Sequence, residues 1–312
     1  MEDFRILAIN PGSTSTKIAV YQNMNPVFVK NITHPNEELA QFEHVADQFH
    51  FRKEIIYKEL EEADIEINKI QAVVGRGGML KPIASGVYQV NDAMKSDLYD
   101  HPIKEHASNL GGLIADDIAR ALPDAKAYIA DPVVVDELDE IARVSGHPLF
   151  KRISIFHALN QKSIARQHAK SIMKHYEDLN LIIVHMGGGI TIGAHQKGKV
   201  IDVNQGLDGE GPFSPERSGT LPSGDLVRFC FSGKYSEKEV LKMVVGNGGI
   251  VAYLGTNSAY EAEQRAQNGD EQAKFILEAL AYQVAKSIGS MVPVLKGEVD
   301  AILLTGGVGH SK

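Results

Sequence analysis

The sequence predicts an α/β protein that consists of two similar domains. The length of 312 residues corresponds to about two domains at the usual ~100–200 residues each. A strand, a turn of small residues and a returning strand occur over 4–21, and the same pattern recurs over 181–195. Apolar strands end in glycine-containing turns in both halves of the chain. We therefore expect a structural duplication, with domains at 1–150 and 151–312.

In the first half, the apolar run Phe4–Ile9 predicts a buried strand, and Thr16–Tyr21 returns as the second arm of a hairpin. The spacing of Glu, Lys and Leu predicts helix within Asn36–Ala63. The remaining elements predicted here are a short strand at Ala72–Val74, a helix around Ser108–Ala121 and a strand at Ala127–Ala130.

The second half repeats this organisation. Its predicted elements are a helix near Ala158–Tyr176, strands at Leu181–His185, Ile190–His195 and Lys199–Val203, a long helix at Glu271–Val294 and a strand at Ala301–Leu304. The loop Asn204–Ser223 is dense in Gly, Pro and Ser and longer than most connections, which indicates a functional loop. Because the sequence stops soon after its last strand, we expect that the tail of the second domain is truncated.

Composition excludes several classes of protein. A formal net charge of −8 argues against a nucleic-acid binder, which would carry a basic face. No apolar run approaches the ~18 residues of a membrane helix, and the acidic N-terminus does not resemble a signal peptide. The single cysteine, Cys230, excludes an internal disulfide framework, and we expect it to be a buried apolar residue. These features predict a cytoplasmic protein without nucleic-acid or membrane partners.

Three turns at strand ends carry the chemistry: Asn10–Lys17, His185–Thr191 and Leu304–Ser311. A phosphate chain needs backbone N–H groups aimed at it, and Gly, Ser and Thr allow the backbone to approach closely. The predicted nucleotide-binding residues are Ser13, Thr14, Ser15, Lys17, His185, Gly187, Gly188, Gly189, Gly306, Gly307 and Gly309.

The turns match neither the Walker nor the Rossmann glycine pattern, in which one loop opens a helix. Here the first two turns join two strands. This arrangement is typical of the actin-like superfold, whose two ribonuclease H-like domains grip a nucleotide with β-hairpins in the cleft between them. We expect ATP or ADP in such a cleft.

Five separated stretches make the resemblance more specific. They are NPGSTSTK at 10–17, SIFHALNQ at 154–161, HMGGG at 185–189, PERSG at 215–219 and LTGG at 304–307. In this order, and over nearly the whole chain, they resemble the butyrate kinases, and more loosely the acetate kinases to which these belong. The resemblance implies reversible transfer of a phosphoryl group from ATP to butyrate, isobutyrate or a related short-chain carboxylate, with Mg²⁺, in a homodimer or larger assembly.

The chemistry agrees with the residue types present. A carboxylate is already ionised at neutral pH, so the reaction needs positioning and charge neutralisation rather than a general base. Six residues correspond to catalytic positions of the family: Asn10, Arg76, His106, Asp131, His157 and Arg217. The resemblance implies that the arginines bind carboxylate and phosphoryl oxygens, that His157 stabilises the transition state, and that Asp131 organises the metal and phosphate region.

The sequence departs from the acetate kinases at two places. Gly307–Ser311 replaces a stretch in which acetate kinases carry a glutamate near the metal, so Mg²⁺ is expected to be held by phosphates, water and Asp131. Gly77 and Gly78 stand where acetate kinases have two valines. We expect these glycines to deepen the acyl pocket, with Phe156 as one wall.

Two alternatives stay open at this point. A sugar kinase of the same superfold would need a carboxylate base, for which Asp131 is the candidate, although two arginines suit a carboxylate substrate better. A nucleotide-dependent switch or filament protein would need no pocket for a second substrate.

Overall fold

The computed structural model describes residues 3–310. The chain divides into two compact units, Met1–Val135 and Asp136–Lys312. The boundary at residue 150 that the sequence predicts therefore falls inside the second unit. Within residues 3–310, no helix combines the length and apolar character needed to span a bilayer.

The first unit is built on one mixed sheet with the strand order β3-β2-β1-β4-β6-β5. Strands β1, β4 and β6 are mutually parallel, and the other neighbours are antiparallel. The elements are β1 Arg5–Pro11, β2 Ser15–Gln22, β3 Asn25–Thr33, α1 Asn36–Leu39, α2 Phe49–Glu62, β4 Ala72–Arg76, β5 Val87–Gln89, α3 Asp92–Tyr99, α4 Asn109–Arg120 and β6 Lys126–Ala130, with 3-10 turns at Val45–Gln48 and Ile67–Lys69.

Helix α4 packs tightly on strand β4 because two glycines remove the side chains between them. A Cβ atom built on Gly75 would lie 2.1 Å from the carbonyl oxygen of Gly111. The apolar face of α4 buries Ile114 and Ile118 completely, and each such side chain contributes about 1.5–3 kcal/mol of transfer free energy. This contact fixes the start of α4 close to the end of β4.

The second unit has a four-stranded sheet of order β10-β7-β8-β9. Its elements are α5 Ala158–Ser171, β7 Asn180–Met186, β8 Ile190–Gln196, β9 Lys199–Val203, α6 Ser223–Cys230, α7 Glu237–Val244, α8 Ile250–Leu254, α9 Ala259–Gln267, α10 Glu271–Val294 and β10 Ala301–Thr305, with 3-10 turns at Glu140–Arg143, Tyr176–Asp178 and Gly307–His310. Helix α5 packs with Leu181 and Ile183 on one face, and α10 packs with Ile182 and Val184 on the other. Strands β7 and β8 are therefore buried on both faces, whereas Ile302 and Leu304 of β10 are exposed.

The two sheets share one arrangement, which confirms the predicted α/β duplication. In each, three successive antiparallel strands form a meander, and the next long parallel strand pairs with the first of the three. Strands β1, β2, β3 and β4 thus correspond to β7, β8, β9 and β10. The turns after β1 and β4 in the first sheet are therefore topologically equivalent to the turns after β7 and β10 in the second sheet.

Helix occurs within Asn36–Ala63 as predicted, although an irregular stretch and a 3-10 turn separate α1 from α2. One expectation about local structure is wrong. Cys230 is exposed rather than buried. Cys230 is the last residue of α6, and the structure describes every residue of this helix. None of them is buried, so the apolar residues around Cys230 do not belong to a core.

Candidate active site

Three predicted site residues lie at the carboxyl ends of adjacent parallel strands of the first unit: Asn10 and Arg76 within the ends of β1 and β4, and Asp131 directly after β6. The strand register pairs Ile9 with Gly75 and Arg76 with Ala130, which places Asn10, Arg76 and Asp131 along one edge of the sheet. The guanidinium Nη1 of Arg76 donates to Asn10 Oδ1 at 3.2 Å. The carboxyl ends of parallel strands are the usual place for ligand-binding groups in α/β proteins. The structure thus brings Asn10 and Arg76 into direct contact.

The turn Asn10–Lys17 is predicted to bind phosphate, and we call it the first phosphate turn. Arg52, which the sequence did not single out, hydrogen-bonds to this turn from its buried side. Arg52 lies on α2 and is fully buried. Its guanidinium donates to the carbonyl oxygens of Gly12, Ser13 and Ser15 at 2.9, 3.1 and 3.0 Å. Gln48 accepts two further bonds from it, at 3.0 and 2.8 Å. Burial lowers the pKa of Arg52 to about 10, so the guanidinium stays charged at neutral pH.

These contacts orient the turn. In a planar trans peptide the carbonyl and the following N–H point in opposite directions. The carbonyls of Gly12 and Ser13 face Arg52, so the N–H groups of Ser13 and Thr14 face away from it. The side chains of Ser13, Thr14 and Lys17 are exposed. The turn therefore presents donors outward, as a phosphate-binding turn requires.

The buried side of the same turn also contacts a histidine. His34 lies 2.8 Å from the Thr16 hydroxyl through its Nε2 atom. Burial, helped by the nearby charge of Arg52, lowers the pKa of His34 to about 4. A neutral ring next to a buried guanidinium avoids a second buried positive charge.

Asp131 has a structural role that is visible in its hydrogen bonds. Its Oδ1 atom accepts from the Ser85 hydroxyl at 2.6 Å and from the Gly86 backbone N–H at 2.9 Å. The residue is 4% exposed and has φ of +36°, in the left-handed region that aspartate tolerates better than most residues. Asp131 therefore closes a turn onto Ser85 and Gly86.

The two glycines after Arg76, which we expect to deepen the acyl pocket, pack closely against neighbouring chain. A Cβ at Gly77 would lie 2.4 Å from Cβ of Pro132, and one at Gly78 would lie 2.6 Å from Cα of Asn109. The space that the valines would fill is thus occupied by neighbouring chain. Phe156, the expected pocket wall, is itself only 2% exposed. These glycines serve close packing of the segment after β4.

His106 lies just before α4. Its Nδ1 atom accepts from the backbone N–H of Ser108 at 3.1 Å, so the neutral ring carries its proton on Nε2. Asn109, the first residue of α4, accepts a hydrogen bond through Oδ1 from the backbone N–H of Met79 at 2.8 Å. The start of α4 is thereby joined to the segment that follows Arg76.

In the second unit, His157 and His185 are stacked. Their ring centroids are 3.8 Å apart, with an interplanar angle of 13°. Nδ1 of His157 lies 2.9 Å from the hydroxyl of Thr191, and Nδ1 of His185 lies 2.8 Å from Oδ1 of Asn160. The start of α5 and the β7–β8 hairpin therefore present two imidazoles side by side, next to the second glycine turn.

The long loop after β9 folds over that turn and carries Arg217. A Cβ at Gly189 would collide with the guanidinium of Arg217 at 2.1 Å, so only glycine allows this contact. Arg217 Nη1 donates to the carbonyl oxygen of Gly206, and the Ser214 hydroxyl donates to the carbonyl oxygen of Gly188 at 2.6 Å. The predicted functional loop and the glycine turn thus form one structure.

The guanidinium of Arg217 is a largely buried cation. Burial lowers its pKa, while Glu216 and Asp208 act in the opposite direction. Within the described residues, its Nε atom is buried without a hydrogen-bond partner. Such an atom is costly unless it is paired in the working protein. An anion beside Arg217 would supply that pairing.

The third glycine turn lies beside the second because β10 pairs with β7 in parallel. Gly306 has φ of +91°, and a Cβ there would lie 2.3 Å from the carbonyl oxygen of Met186. Beside these turns is a cavity of about 500 Å³. Its lining includes Gly187, Gly188, Pro215, Tyr260, Gly307 and Val308. This volume is in the range of small-molecule sites.

Comparison with known proteins agrees with this geometry. The model of the acetokinase family matches residues 149–312. Butyrate kinase 2 of Clostridium acetobutylicum is 56% identical over 309 residues, which are 99% of this chain and 86% of that protein. The chain belongs to the acetokinase family. Membership makes it a kinase whose phosphoryl acceptor is a carboxyl group and whose nucleotide is ATP or ADP.

Solved structures show that the acetokinase fold extends over the whole chain. The acetate kinase of Porphyromonas gingivalis has a TM-score of 0.77 at 20% identity and covers 98% of this chain and 84% of its own. The propionate kinase of Francisella tularensis subsp. tularensis SCHU S4 has a TM-score of 0.74 at 22% identity, with the same shares of both chains. The expected two-domain actin-like fold is thereby confirmed.

Proposed function

We propose that this acetokinase family member is a butyrate kinase, which acts on butyrate or a branched acid of similar size, such as isobutyrate. The observation that carries the carboxylate reaction is the hydrogen bond from Arg76 to Asn10 at the ends of two adjacent strands. Asp131, at the end of the next strand, accepts hydrogen bonds from Ser85 and Gly86. The site offers a cation and an amide, and the Oδ1 atom of its buried carboxylate, Asp131, is hydrogen-bonded within a turn. The identity of 56% to a butyrate kinase supports the size of the acid.

The proposed reaction needs no net proton transfer. An oxygen of the ionised carboxylate attacks the γ-phosphorus of ATP and forms a C–O–P bond. The bond between that phosphorus and the β–γ bridging oxygen breaks, and ADP leaves with its electron pair. Catalysis then consists of positioning and of neutralising charge on the phosphoryl oxygens.

The residues divide between these tasks. We assign carboxylate binding to Arg76, because a planar guanidinium binds a carboxylate through two N–H groups. Phosphoryl oxygens are assigned to Asn10, His157 and Arg217. His106 is proposed to lie near the reacting groups, as the family resemblance implies. Each of these assignments rests on the family resemblance together with the contacts above.

The nucleotide is assigned to the three turns. Ser13, Thr14, Ser15 and Lys17 supply donors in the first unit, where Arg52 orients the turn. In the second unit His185 and the glycines of the two adjacent turns line or border the 500 Å³ cavity, which suits an adenosine. Tyr260, 72% exposed, offers a ring on which a base can stack.

Magnesium is proposed to arrive with the nucleotide. Across residues 3–310, no group of three His, Cys, Asp or Glu side chains is placed to hold a metal ion. Mg²⁺ in kinases is commonly bound by substrate phosphates, water and one or two carboxylates, so the donor set is compatible with it. Asp131 is the candidate carboxylate, although its Oδ1 is already engaged.

A cytoplasmic location and a homodimeric or larger state are part of the same proposal. Large apolar side chains are exposed on or just after α6 and on α7, among them Phe231 at 87% and Leu241 at 57%. Light scattering of the purified chain should give at least twice the monomer mass of 34.0 kDa.

The experiment that tests the function compares acceptors in the presence of ATP, Mg²⁺ and hydroxylamine. Acyl phosphate is trapped as a hydroxamate, whereas a sugar phosphate is not. We expect hydroxamate with butyrate and isobutyrate, and kcat/KM about one to two decades lower with acetate. ATP consumption that glucose stimulates, or that no acceptor stimulates, would favour a sugar kinase or a switch ATPase instead.

A further inference from the structure

Behind His157 lies a continuous chain of hydrogen bonds through the core of the second unit. Its members are, in order, Tyr176, His195, Gln161, Thr191 and His157, joined by contacts of 2.6, 2.9, 2.9 and 2.9 Å. Gln161, Thr191 and His195 are 0% exposed and Tyr176 is 3% exposed. Buried donors and acceptors are nearly always paired, and the contacts above pair these atoms with one another.

One backbone group sets the direction of all these bonds. The amide of Gln161 faces the carbonyl oxygen of Thr191 at 3.0 Å. A carbonyl oxygen can only accept, so the Gln161 atom that faces it must be the NH₂ nitrogen. The orientation of the amide group, which electron density alone rarely distinguishes, is therefore determined by chemistry.

From Gln161 the direction extends inward to Tyr176. The amide oxygen of Gln161 accepts, so Nε2 of His195 must carry a proton. Burial, with the Lys162 ammonium nearby, lowers the pKa of His195 to about 3, and the ring is neutral. Its Nδ1 atom is then an acceptor, and the hydroxyl of Tyr176 donates to it.

From Gln161 the direction also extends outward to His157. The second amide hydrogen of Gln161 is donated to the Thr191 hydroxyl oxygen, and the backbone N–H of His157 also points at that oxygen from 3.5 Å. With its lone pairs facing two donors, the hydroxyl directs its own hydrogen to Nδ1 of His157. A neutral His157 then carries its proton on Nε2.

We propose that Thr191, Gln161, His195 and Tyr176 are positioning residues that hold neutral His157 in its Nε2–H form. This inference rests on the proposed function, in which His157 faces phosphoryl oxygens. In that form the ring presents a donor to an anionic oxygen, whereas the other tautomer would present a lone pair. Loss of one donor to a developing negative charge costs about 10²–10³ in kcat.

The variants Thr191→Val and Thr191→Ser test the proposal as a matched pair. Valine keeps the shape but removes the hydroxyl, so the His157 tautomer is no longer set. We expect kcat with butyrate to fall at least about tenfold while KM changes less than about threefold. Serine keeps the hydroxyl and should retain kcat within about threefold. A kcat loss of equal size in both variants would overturn the proposal.

The tautomer itself is measured by two-bond ¹H–¹⁵N correlation of the imidazole rings, with His157→Gln used to assign the signals. The wild-type protein should show the Nε2–H form, and Thr191→Val should show a substantial Nδ1–H population. A wild-type Nδ1–H form would overturn the inference even if every variant folds poorly. This spectrum does not depend on activity, so a chain that shows the Nε2–H form but makes no acyl phosphate would contradict the proposed function alone.

Discussion

At the scale of single residues, buried groups that never face the substrate shape the first phosphate turn. Arg52 binds three carbonyl oxygens of that turn from the inside. A glycine or serine turn without this contact has many backbone conformations, and ordering it would cost free energy each time a phosphate binds. Arg52 therefore prepares the turn for its ligand, and the same guanidinium stabilises the fold.

We expect Arg52→Met to weaken both functions of this residue. Removal leaves buried carbonyl oxygens without donors, which costs about 1–3 kcal/mol for each group that water cannot reach. The free energy of unfolding in urea should fall by at least ~2 kcal/mol, and the KM for ATP should rise. The control is Lys58→Met on the same helix, whose 3.7 Å ion pair with Glu62 is exposed. That change should cost less than about 0.5 kcal/mol. Equal effects of the two variants would show that Arg52 does not brace the turn.

Gly78 provides a second prediction, which replaces the expected change in acyl-chain preference. Because a Cβ at this position would meet the backbone of Asn109 at 2.6 Å, Gly78→Ala should lower the free energy of unfolding by about 1–3 kcal/mol. Gly86→Ala is the control, since its Cβ finds no atom nearer than 3.4 Å. Thermal or urea unfolding measures both. If Gly78→Ala is as stable as the wild type, and the dependence of its kcat/KM on acyl-chain length differs from that of the wild type, the acyl pocket lies at Gly78.

These residues also mark a limit of reading sequence. Asn10, Arg76 and Arg217 stand in short motifs, and their positions at strand ends or in a glycine-rich loop could be predicted from local pattern. Arg52 stands in an ordinary helical stretch. Only the fold shows that its side chain reaches a turn 36 to 40 positions earlier in the chain. The role of Gly78 likewise depends on which atoms lie across from it.

At the scale of elements, two hairpins place two of the turns that the nucleotide is proposed to use, and the end of β10 places the third. The hairpins β1–β2 and β7–β8, and the parallel partners β4 and β10, could be predicted because buried strands are apolar and their turns are rich in small residues. Exposed β3 and the short helices α6 to α9 were missed. Strand β3 buries only Ile32, and each of these helices has nine residues or fewer, so a periodic pattern has too few turns in which to stand out.

The buried strand β8 has a consequence for pH dependence. Its His195 has a pKa lowered to about 3, whereas the unfolded chain has the usual value near 6.5. Above pH 6.5 the ring is neutral in both states, and the stability is fully present. As pH falls from there towards 3, the unfolded state binds a proton that the folded state refuses, so stability is lost.

We therefore expect the free energy of unfolding to fall between pH 6.5 and 4 by up to about 1.4 kcal/mol per pH unit from this residue. His195→Gln should flatten that decline. His147→Gln, at an exposed position, is the control and should leave the slope unchanged. Urea unfolding at several pH values measures the slopes, and identical slopes in His195→Gln and the wild type would contradict the assignment.

At the scale of the whole molecule, two units of the same topology carry different candidate residues. In the first unit, Arg76 and Asn10 stand at adjacent strand ends. In the second unit, His157 and Arg217 stand beside the glycine turn after β7. Family and fold class were predictable because five motifs occur in order along the chain, whereas the roles of the site residues and the shape of the acyl pocket stay predictions.

The central claim is that a carboxylate oxygen becomes bonded to the γ-phosphorus of ATP. Butyrate labelled with ¹⁸O in both carboxyl oxygens tests this directly, with ³¹P NMR of the acyl phosphate formed by the wild-type chain. We predict an isotope-shifted phosphorus signal, because one labelled oxygen bridges carbon and phosphorus. Turnover of ATP with a phosphorus product that carries no ¹⁸O from butyrate would contradict the claim.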